Sequence, residues 1–197
     1  MANEVRITGG KFKGRKIKTP GGGTHPMGER ERIALFNMIG DYLPGAQVLD
    51  TYAGSGSLGI EALSREAKEV LFVEESHVAM GVITENCRLL DLKDEQVAFY
   101  RGSVSRFYKR IVLREGHAID PMMELAFQTF PDAVDIMLAD PPYDKVNYKE
   151  ISRLANGYLK EGGILVLSHP GEAPDLPGLE LLKTRQYAEA HLSIYQG

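Results

Sequence analysis

From residue 47 onward the chain alternates short apolar runs with segments of helical period, and this alternation is the strongest constraint on its fold. Residues 47–50, 70–74, 97–101, 134–140 and 163–167 read as strands, and 58–65, 78–90 and 148–159 as the helices between them. Strand–helix–strand units of this kind close as parallel pairs, with helices on both faces of one sheet. Two further runs, 180–184 and 191–195, follow one another without a helix and are expected to pair antiparallel. Segments 104–113 and 122–130 have a helical period, separated by a polar break at Gly116. Ahead of the alternation, 27–42 carries Ile33, Ala34, Phe36, Met38 and Ile39 at helical spacing, with Gly40 near its end.

The N-terminal segment differs in kind. Val5-Arg6-Ile7 and Lys16-Ile17-Lys18 are short runs of alternating polarity with Gly9, Gly10 and Gly14 between them. They predict a twisted two-strand hairpin, and Gly21, Gly22 and Gly23 a flexible joint after it. Up to Pro20 the basic residues Arg6, Lys11, Lys13, Arg15, Lys16 and Lys18 face a single acid, Glu4, although the whole chain has a net charge of -4. A basic arm on an acidic body predicts a localised contact with a polyanion. The expected division is an arm over 1–23 and a larger domain over 24–197. The same charges also suit a solvated edge strand that avoids aggregation.

Nothing in the chain approaches the ~20 apolar residues of a bilayer span, and the N-terminus lacks the apolar core of a signal peptide. The one cysteine, Cys87, excludes an intrachain disulfide and is expected to be a buried structural thiol in a reducing cytoplasm. No Cys/His cluster has metal-ligand spacing, so no metal is expected.

Two motifs carry chemistry. The apolar run 133–139 ends in Asp140-Pro141-Pro142-Tyr143. Neither proline offers an N–H and each fixes its own φ, so the segment leaves the sheet as a stiff extended turn. It presents a carboxylate, free carbonyls and a flat ring where open α/β sheets bind ligands. That is a cradle for a planar base bearing an exocyclic amine, or else a Pro-rich turn with a capping Asp. The second motif, residues 50–59, follows the first body strand and opens a helix. Gly54, Gly56 and Gly59 satisfy G-x-G-x-x-G, and Glu74 stands about 20 residues on, where a dinucleotide site has its ribose acid. Asp50, however, ends the strand four positions before Gly54, and a carboxylate there repels a pyrophosphate. It suits a cationic ligand with an amino-acid end, such as S-adenosylmethionine, anchored indirectly through Asp50 and by its ribose hydroxyls on Glu74.

Taken together, Arg6–Ile17, Thr24-His25-Pro26, Glu29-Arg30, Ala34-Leu35-Phe36-Asn37, the loop Val48 to Ala62 and Asp140–Tyr143 resemble the RsmD-type 16S rRNA guanine-N2 methyltransferases over nearly the whole length. The resemblance implies an α/β, Rossmann-like class I methyltransferase with a seven-stranded, mostly parallel sheet and a small N-terminal β-hairpin arm. It implies S-adenosylmethionine as the methyl donor and, as partner, 16S rRNA in the small ribosomal subunit or its assembly intermediate, with guanine 966 as the family target. A cytoplasmic monomer is expected. Carried onto this chain, the catalytic residues are Asp140, Pro141, Pro142 and Tyr143. The cofactor residues are Asp50, Tyr52, Ala53, Gly54, Ser55, Gly56, Glu74 and Ser103. The RNA-binding residues are Arg6, Lys11, Lys13, Arg15, Lys16, Lys18 and Arg30. Asp140 and the Pro141 carbonyl would accept the two amine N–H groups, and Tyr143 would stack on the base.

The chain departs from the family pattern at several points. His25-Pro26 stands for Arg-Pro, Glu29-Arg30 for Asp-Arg, Gly102-Ser103 for Gly-Asp, and Tyr187-Ala188-Glu189-Ala190 for Tyr-Gly-Asp-Thr, while 105–131 is longer than expected. Among lesser candidates, Arg30 and Arg32 could continue the basic surface, unless they simply pair with Glu29 and Glu31, and His169 could line the base pocket. The four-residue motif does not itself choose guanine over adenine, so methylation of another RNA or of DNA adenine remains open, as does a non-catalytic RNA-binding role.

Overall fold

The computed structural model describes residues 4–21, 27–112, 133–187 and 190–197. Along β3 (Gln47–Thr51), β4 (Glu69–Glu74), β5 (Val97–Arg101), β6 (Val134–Ala139) and β7 (Leu159–His169), successive side chains leave opposite faces of the sheet. Val48, Val70, Phe72, Ile136, Leu138 and Val166 therefore gather on one side, and Leu49, Leu71, Val73, Met137, Leu165 and Leu167 on the other. All are buried, which is why these strands read as continuous apolar runs rather than as alternating ones. Each such side chain contributes ~1.5–3 kcal/mol on full burial.

With β8 (Glu180–Tyr187) and β9 (Ala190–Gln196), the seven strands lie in the order β5-β4-β3-β6-β7-β9-β8. The first five are parallel, and β9 is antiparallel to both of its neighbours. The chain thus winds outward from β3 through β4 to β5 and then returns to the far side of β3 with β6. The crossovers diverge where β3 and β6 lie side by side, and their C-terminal ends form the switch point at which open α/β sheets bind ligands.

Helices α1 (Glu29–Met38), α2 (Ser57–Ser64) and α3 (His77–Leu89) cover the first face; α4 (Val104–Phe107) and α5 (Tyr148–Tyr158) cover the second. Every residue of α2 is buried, because the sheet takes one side and the N-terminal hairpin the other. Gly59 in α2 is required by the sheet side: a Cβ there would fall 2.4 Å from Phe72 Cε1.

The hairpin itself is β1 (Glu4–Arg6) paired antiparallel with β2 (Lys16–Lys18), Val5 opposite Ile17. Val5, Ile7 and Ile17 turn inward and join the same apolar cluster as α2 and α3. Polar contacts fix its seat. Thr8 donates its N–H and hydroxyl to the buried Glu61 carboxylate at 2.8 and 2.6 Å. Ser64 Oγ donates to the Gly9 carbonyl and accepts the Phe12 N–H. Asn86 of α3 accepts the Lys18 N–H and donates to the Lys18 carbonyl, both at 2.9 Å, and donates again to the Ser55 carbonyl at 3.0 Å.

Element ends differ from the sequence reading where local geometry intervenes. The first helix stops at Met38 and passes through a 3-10 turn, Gly40–Tyr42, rather than running on to 42. The helix expected over 104–113 is one α turn followed by a wider turn, Tyr108–Val112. β7 starts directly after α5 instead of at 163, because an irregular register between Val134 and Ile136 accommodates the extra residues before Ile164. The helix expected over 122–130, the joint residues Gly22 and Gly23, the Thr24-His25-Pro26 block, and Ala188 and Glu189 lie outside the described residues.

Candidate functional site

The C-terminal ends of β3, β4, β5, β6 and β7 open onto one cavity of about 670 Å³. One end of it is built by the turn after β3. Tyr52, Gly54 and Gly56 all have positive φ (58°, 57° and 76°), so the backbone doubles back beneath the start of α2. Glycine takes this conformation without strain, whereas Tyr52 is held in it by its surroundings.

Two carboxylates brace that turn. Glu74, at the end of β4, accepts the Gly54 N–H through Oε2 at 2.8 Å and the Ser76 N–H through Oε1 at 2.7 Å. Each oxygen keeps a lone pair for a further donor in the cavity it lines. Asp50 is buried below the loop and accepts the Gly59 N–H at 2.8 Å. Burial pushes its proton affinity well above the carboxylate range; the Gly59 bond opposes this, and Asp140 and Glu74 add to it. The α2 N-terminus is thus met by the protein's own acid, which leaves poor accommodation for a pyrophosphate. A small adjoining cavity is lined by Thr19, Pro20, Met27, Asp50, Tyr52, Ala53, Gly54, Ser55 and Asp140. The buried Ser55 hydroxyl has no hydrogen-bond partner among the described residues, as expected of a group that awaits a polar ligand.

At the far side of β4, Gly102 and Ser103 line the main cavity. Ser103 Oγ caps α4 by accepting the Arg106 N–H at 3.2 Å. This stretch of the cavity wall is thus a neutral side chain with a structural bond of its own.

Asp140, Pro141, Pro142 and Tyr143 form the opposite wall. Burial raises the Asp140 carboxyl to about 6; a bond from Ser168 opposes the shift and the charge of Glu31 adds to it. The Tyr143 hydroxyl is 2.7 Å from Ser168 Oγ, while the residue as a whole is 37% exposed and lines the cavity where a flat partner could lie on its ring. The sheet register explains Ser168. Leu138 pairs with Val166 and Ala139 with Leu167, so one step further Ser168 stands beside Asp140.

The main cavity thus brings together Tyr52, Gly54, Glu74 and Ser103 with Asp140 through Tyr143, while Asp50, Ala53 and Ser55 border the adjoining one. Gly56 borders neither cavity and shapes the turn as the N-cap of α2. The basic residues lie apart from both. Arg6, Lys11, Lys13, Arg15 and Lys16 are exposed on the hairpin, Lys18 is half-buried, and Arg30 is exposed at the start of α1. Lys16 pairs with Glu4 and Lys18 with Glu85. Arg15 donates to the Leu89 carbonyl at the end of α3.

The structure removes two of the lesser candidates named from the sequence. Arg32 is buried and donates to the Met27 and Arg6 carbonyls; it ties α1 to the hairpin instead of extending a basic surface. His169 is fully buried, bonded to Ser193 Oγ at 2.8 Å and stacked on His191. Strand alternation turns it away from the cavity and turns Ser168 toward it. Ser168, Glu31, Met27 and Leu192 line the site without having been singled out in the sequence. Only Ser168 left a signal there, as the residue at the end of the strand next to Asp140. Cys87 is buried, its thiol pushed up to about 12 by burial, an inert structural group. Among the described residues no cluster could hold a metal ion, and no helix is long and apolar enough to cross a membrane.

Comparison with known proteins gives a consistent result. The family model described as Conserved hypothetical protein 95 matches residues 5–196. Ribosomal RNA small subunit methyltransferase D of Haemophilus influenzae is 32% identical over 198 residues, covering 98% of this chain and 94% of that protein. The solved structure of a hypothetical protein from Thermus thermophilus superposes with a TM-score of 0.73 at 30% identity, covering 96% and 98% of the two chains. That of yhhF from Escherichia coli superposes with a TM-score of 0.78 at 24% identity, covering 98% of each, a likeness of fold.

Proposed function

This chain belongs to the Conserved hypothetical protein 95 family, the RsmD family, and from that premise we propose that it transfers a methyl group from S-adenosylmethionine to the exocyclic N2 amine of a guanine in 16S rRNA of the small ribosomal subunit. The observation that carries the reading is the single cavity shared by Glu74, Gly54, Asp140 and Tyr143 at the switch point of the sheet. Among its described lining residues are four acids, Glu31, Glu74, Glu75 and Asp140, and no Lys, Arg or His. A wall of that charge favours a cationic donor and N–H-rich acceptors over phosphate.

The residues fit the donor. Glu74 has lone pairs for two ribose hydroxyls, the orphaned Ser55 hydroxyl and the loop amides suit an amino-acid end, and the ring of Tyr52 walls the adjoining cavity. When bound, S-adenosylmethionine supplies a methyl group already activated on sulfonium sulfur. Placement then dominates the rate. Asp140 accepts one amine N–H and the Pro141 carbonyl the other, which localises the nitrogen lone pair and aims it across the cavity. As the new C–N bond would form and the methyl–sulfur bond break, leaving a neutral thioether, nitrogen must lose a proton. A carboxylate held at about 6 is basic enough to take it and acidic enough to release it at neutral pH. Tyr143 stacks on the base, contributing ~1–3 kcal/mol, and Ser168 keeps its ring from swinging away. The exposed hairpin lysines and arginines, with Arg30, contact the RNA backbone.

The test is to incubate the protein with labelled S-adenosylmethionine and, in parallel, small-subunit particles, free rRNA or duplex DNA, and to identify the methylated nucleoside. N2-methylguanosine from particles is expected, and Asp140→Ala should lower turnover by at least ~100-fold with cofactor affinity retained. N6-methyladenine, or label in no substrate despite cofactor binding, would reject the proposal.

A further inference from the structure

The acceptor end of the cavity holds a second carboxylate that the reaction as derived does not use. Glu31, in the first turn of α1, lines the wall with Asp140, Tyr143 and Ser168. The Gly28 N–H donates to Glu31 Oε2 at 2.7 Å, which holds the carboxylate against the helix start. Oε1 accepts no hydrogen bond from the described residues. Its charge reaches both Asp140 and the Tyr143 hydroxyl, raising the proton affinity of each. Glu31 stands in the run Glu29-Arg30-Glu31-Arg32, where alternating charges suggest a solvated helix face. The fold instead buries Arg32 and turns Glu31 to the cavity.

Two carboxylates flanking one pocket select a ligand that sets two donor groups side by side. The Watson–Crick edge of guanine offers such a row, N1–H beside the two N2–H groups. Adenine and cytosine set a ring-nitrogen lone pair beside their amine, and that lone pair would face a carboxylate with nothing between them. We propose that Glu31 selects guanine: Oε1 accepts the N1–H of the flipped base while Asp140 accepts from N2. This assignment rests on the guanine-N2 reading above and supplies the base choice that the Asp140–Tyr143 motif alone does not make.

The experiment uses 2-aminopurine, which keeps the 2-amino group but carries a lone pair in place of the N1–H. Small-subunit particles are reconstituted with guanine or 2-aminopurine at the nucleotide that the unaltered protein methylates, and kcat/KM is measured for both with the unaltered protein and with Glu31→Gln. The glutamine keeps an oxygen for the Gly28 N–H and can donate to a lone pair on N1. The unaltered protein should prefer guanine by roughly tenfold to hundredfold, the range of one good base contact. In Glu31→Gln that preference should shrink to within about threefold or invert, with cofactor affinity unchanged in calorimetry. Each preference is a ratio of two substrates for one preparation, so partial misfolding cancels. An identical ratio in both proteins overturns the role of Glu31 while leaving the methylation reading intact. No N2-methylation of guanine by the unaltered protein overturns that reading and this inference with it.

Discussion

Ser168 Oγ lies 2.7 Å from the Tyr143 hydroxyl, and the same side chain lowers the proton affinity of the neighbouring Asp140 carboxyl. A serine hydroxyl can both donate and accept, so Ser168 can serve the Tyr143 hydroxyl and the nearby carboxylate at once. One small side chain on β7 therefore holds both functional ends of the loop after β6. In Ser168→Ala the carboxyl loses a bond that lowers its proton affinity, and the ring loses its tether. Single-turnover methyl transfer should fall by about tenfold, the cost of one charge-assisted hydrogen bond. The acid limb of its pH profile should move upward, with cofactor affinity unchanged. A fall in rate without movement of the limb would separate Ser168 from Asp140.

Asp140 should give activity and stability opposite responses to pH. As an acceptor it must be ionised, so methyl transfer should fall as pH drops through about 6. In the unfolded chain the same carboxyl titrates near its ordinary value, about 3.9. Between that value and about 6 the folded protein binds more protons than the unfolded one, so this group's contribution to stability declines as pH rises across the window. Asp140→Asn removes that linkage. Allowing for solvent screening of a partly exposed group, it should stabilise the protein by about 1–2 kcal/mol above pH 6 and by almost nothing near pH 4. Calorimetric Tm at both pH values checks this, and equal shifts at the two would contradict it.

Asn86 satisfies both backbone groups of Lys18 and the Ser55 carbonyl from a fully buried position. Asn86→Leu leaves those groups without partners at a cost of about 3 kcal/mol or more. Limited proteolysis should then cut first within the hairpin, and cofactor affinity should weaken alongside, because the glycine loop loses the same anchor. Intact cofactor binding in a variant with a protease-sensitive hairpin would show that the two contacts act separately.

Lys11 and Lys13 are exposed, and neither makes an ion pair with the described residues. Lys11→Glu with Lys13→Glu should weaken binding to small-subunit particles by about tenfold or more and flatten the dependence of affinity on salt. Filter binding across a KCl series measures both quantities. A wild-type slope would remove these two side chains from RNA contact.

Gly59 sits where a Cβ would meet Phe72 Cε1 at 2.4 Å and Val70 Cγ1 at 2.8 Å. Gly59→Ala should cost about 1–3 kcal/mol by overpacking, read as a lower denaturant midpoint. The loss should be partly recovered by Phe72→Leu in the same chain; no recovery would mean that the strain lies elsewhere.

Most of the sheet was legible because its strands are buried on both faces and interrupted by residues with clear backbone roles. Asp140-Pro141-Pro142-Tyr143 and the Asp50–Gly59 loop announced themselves for the same reason, since prolines and glycines restrict the backbone whatever surrounds them. What sequence concealed was direction. Ser168 and His169 are neighbours with opposite fates, and only the register of β7 against β6 decides which one faces Asp140. Arg32 and Glu31 look equally solvated in an alternating charged run, yet one is buried under the hairpin and the other faces the cavity. The seat of the hairpin depends on Glu61, Ser64 and Asn86, which lie 52 to 68 positions from their partners, beyond the reach of any local pattern.

That seat has a consequence for engineering. A basic hairpin at one end of a chain looks portable, a tag that could lend RNA affinity to another enzyme. In this protein its strands owe their shape to a carboxylate on α2, a hydroxyl at the end of α2 and an amide on α3. Grafted alone, it would arrive as an unstructured basic peptide with charge but no orientation. Transplanting it with its geometry means carrying over the helices that receive it, and with them the glycine loop of the proposed cofactor site.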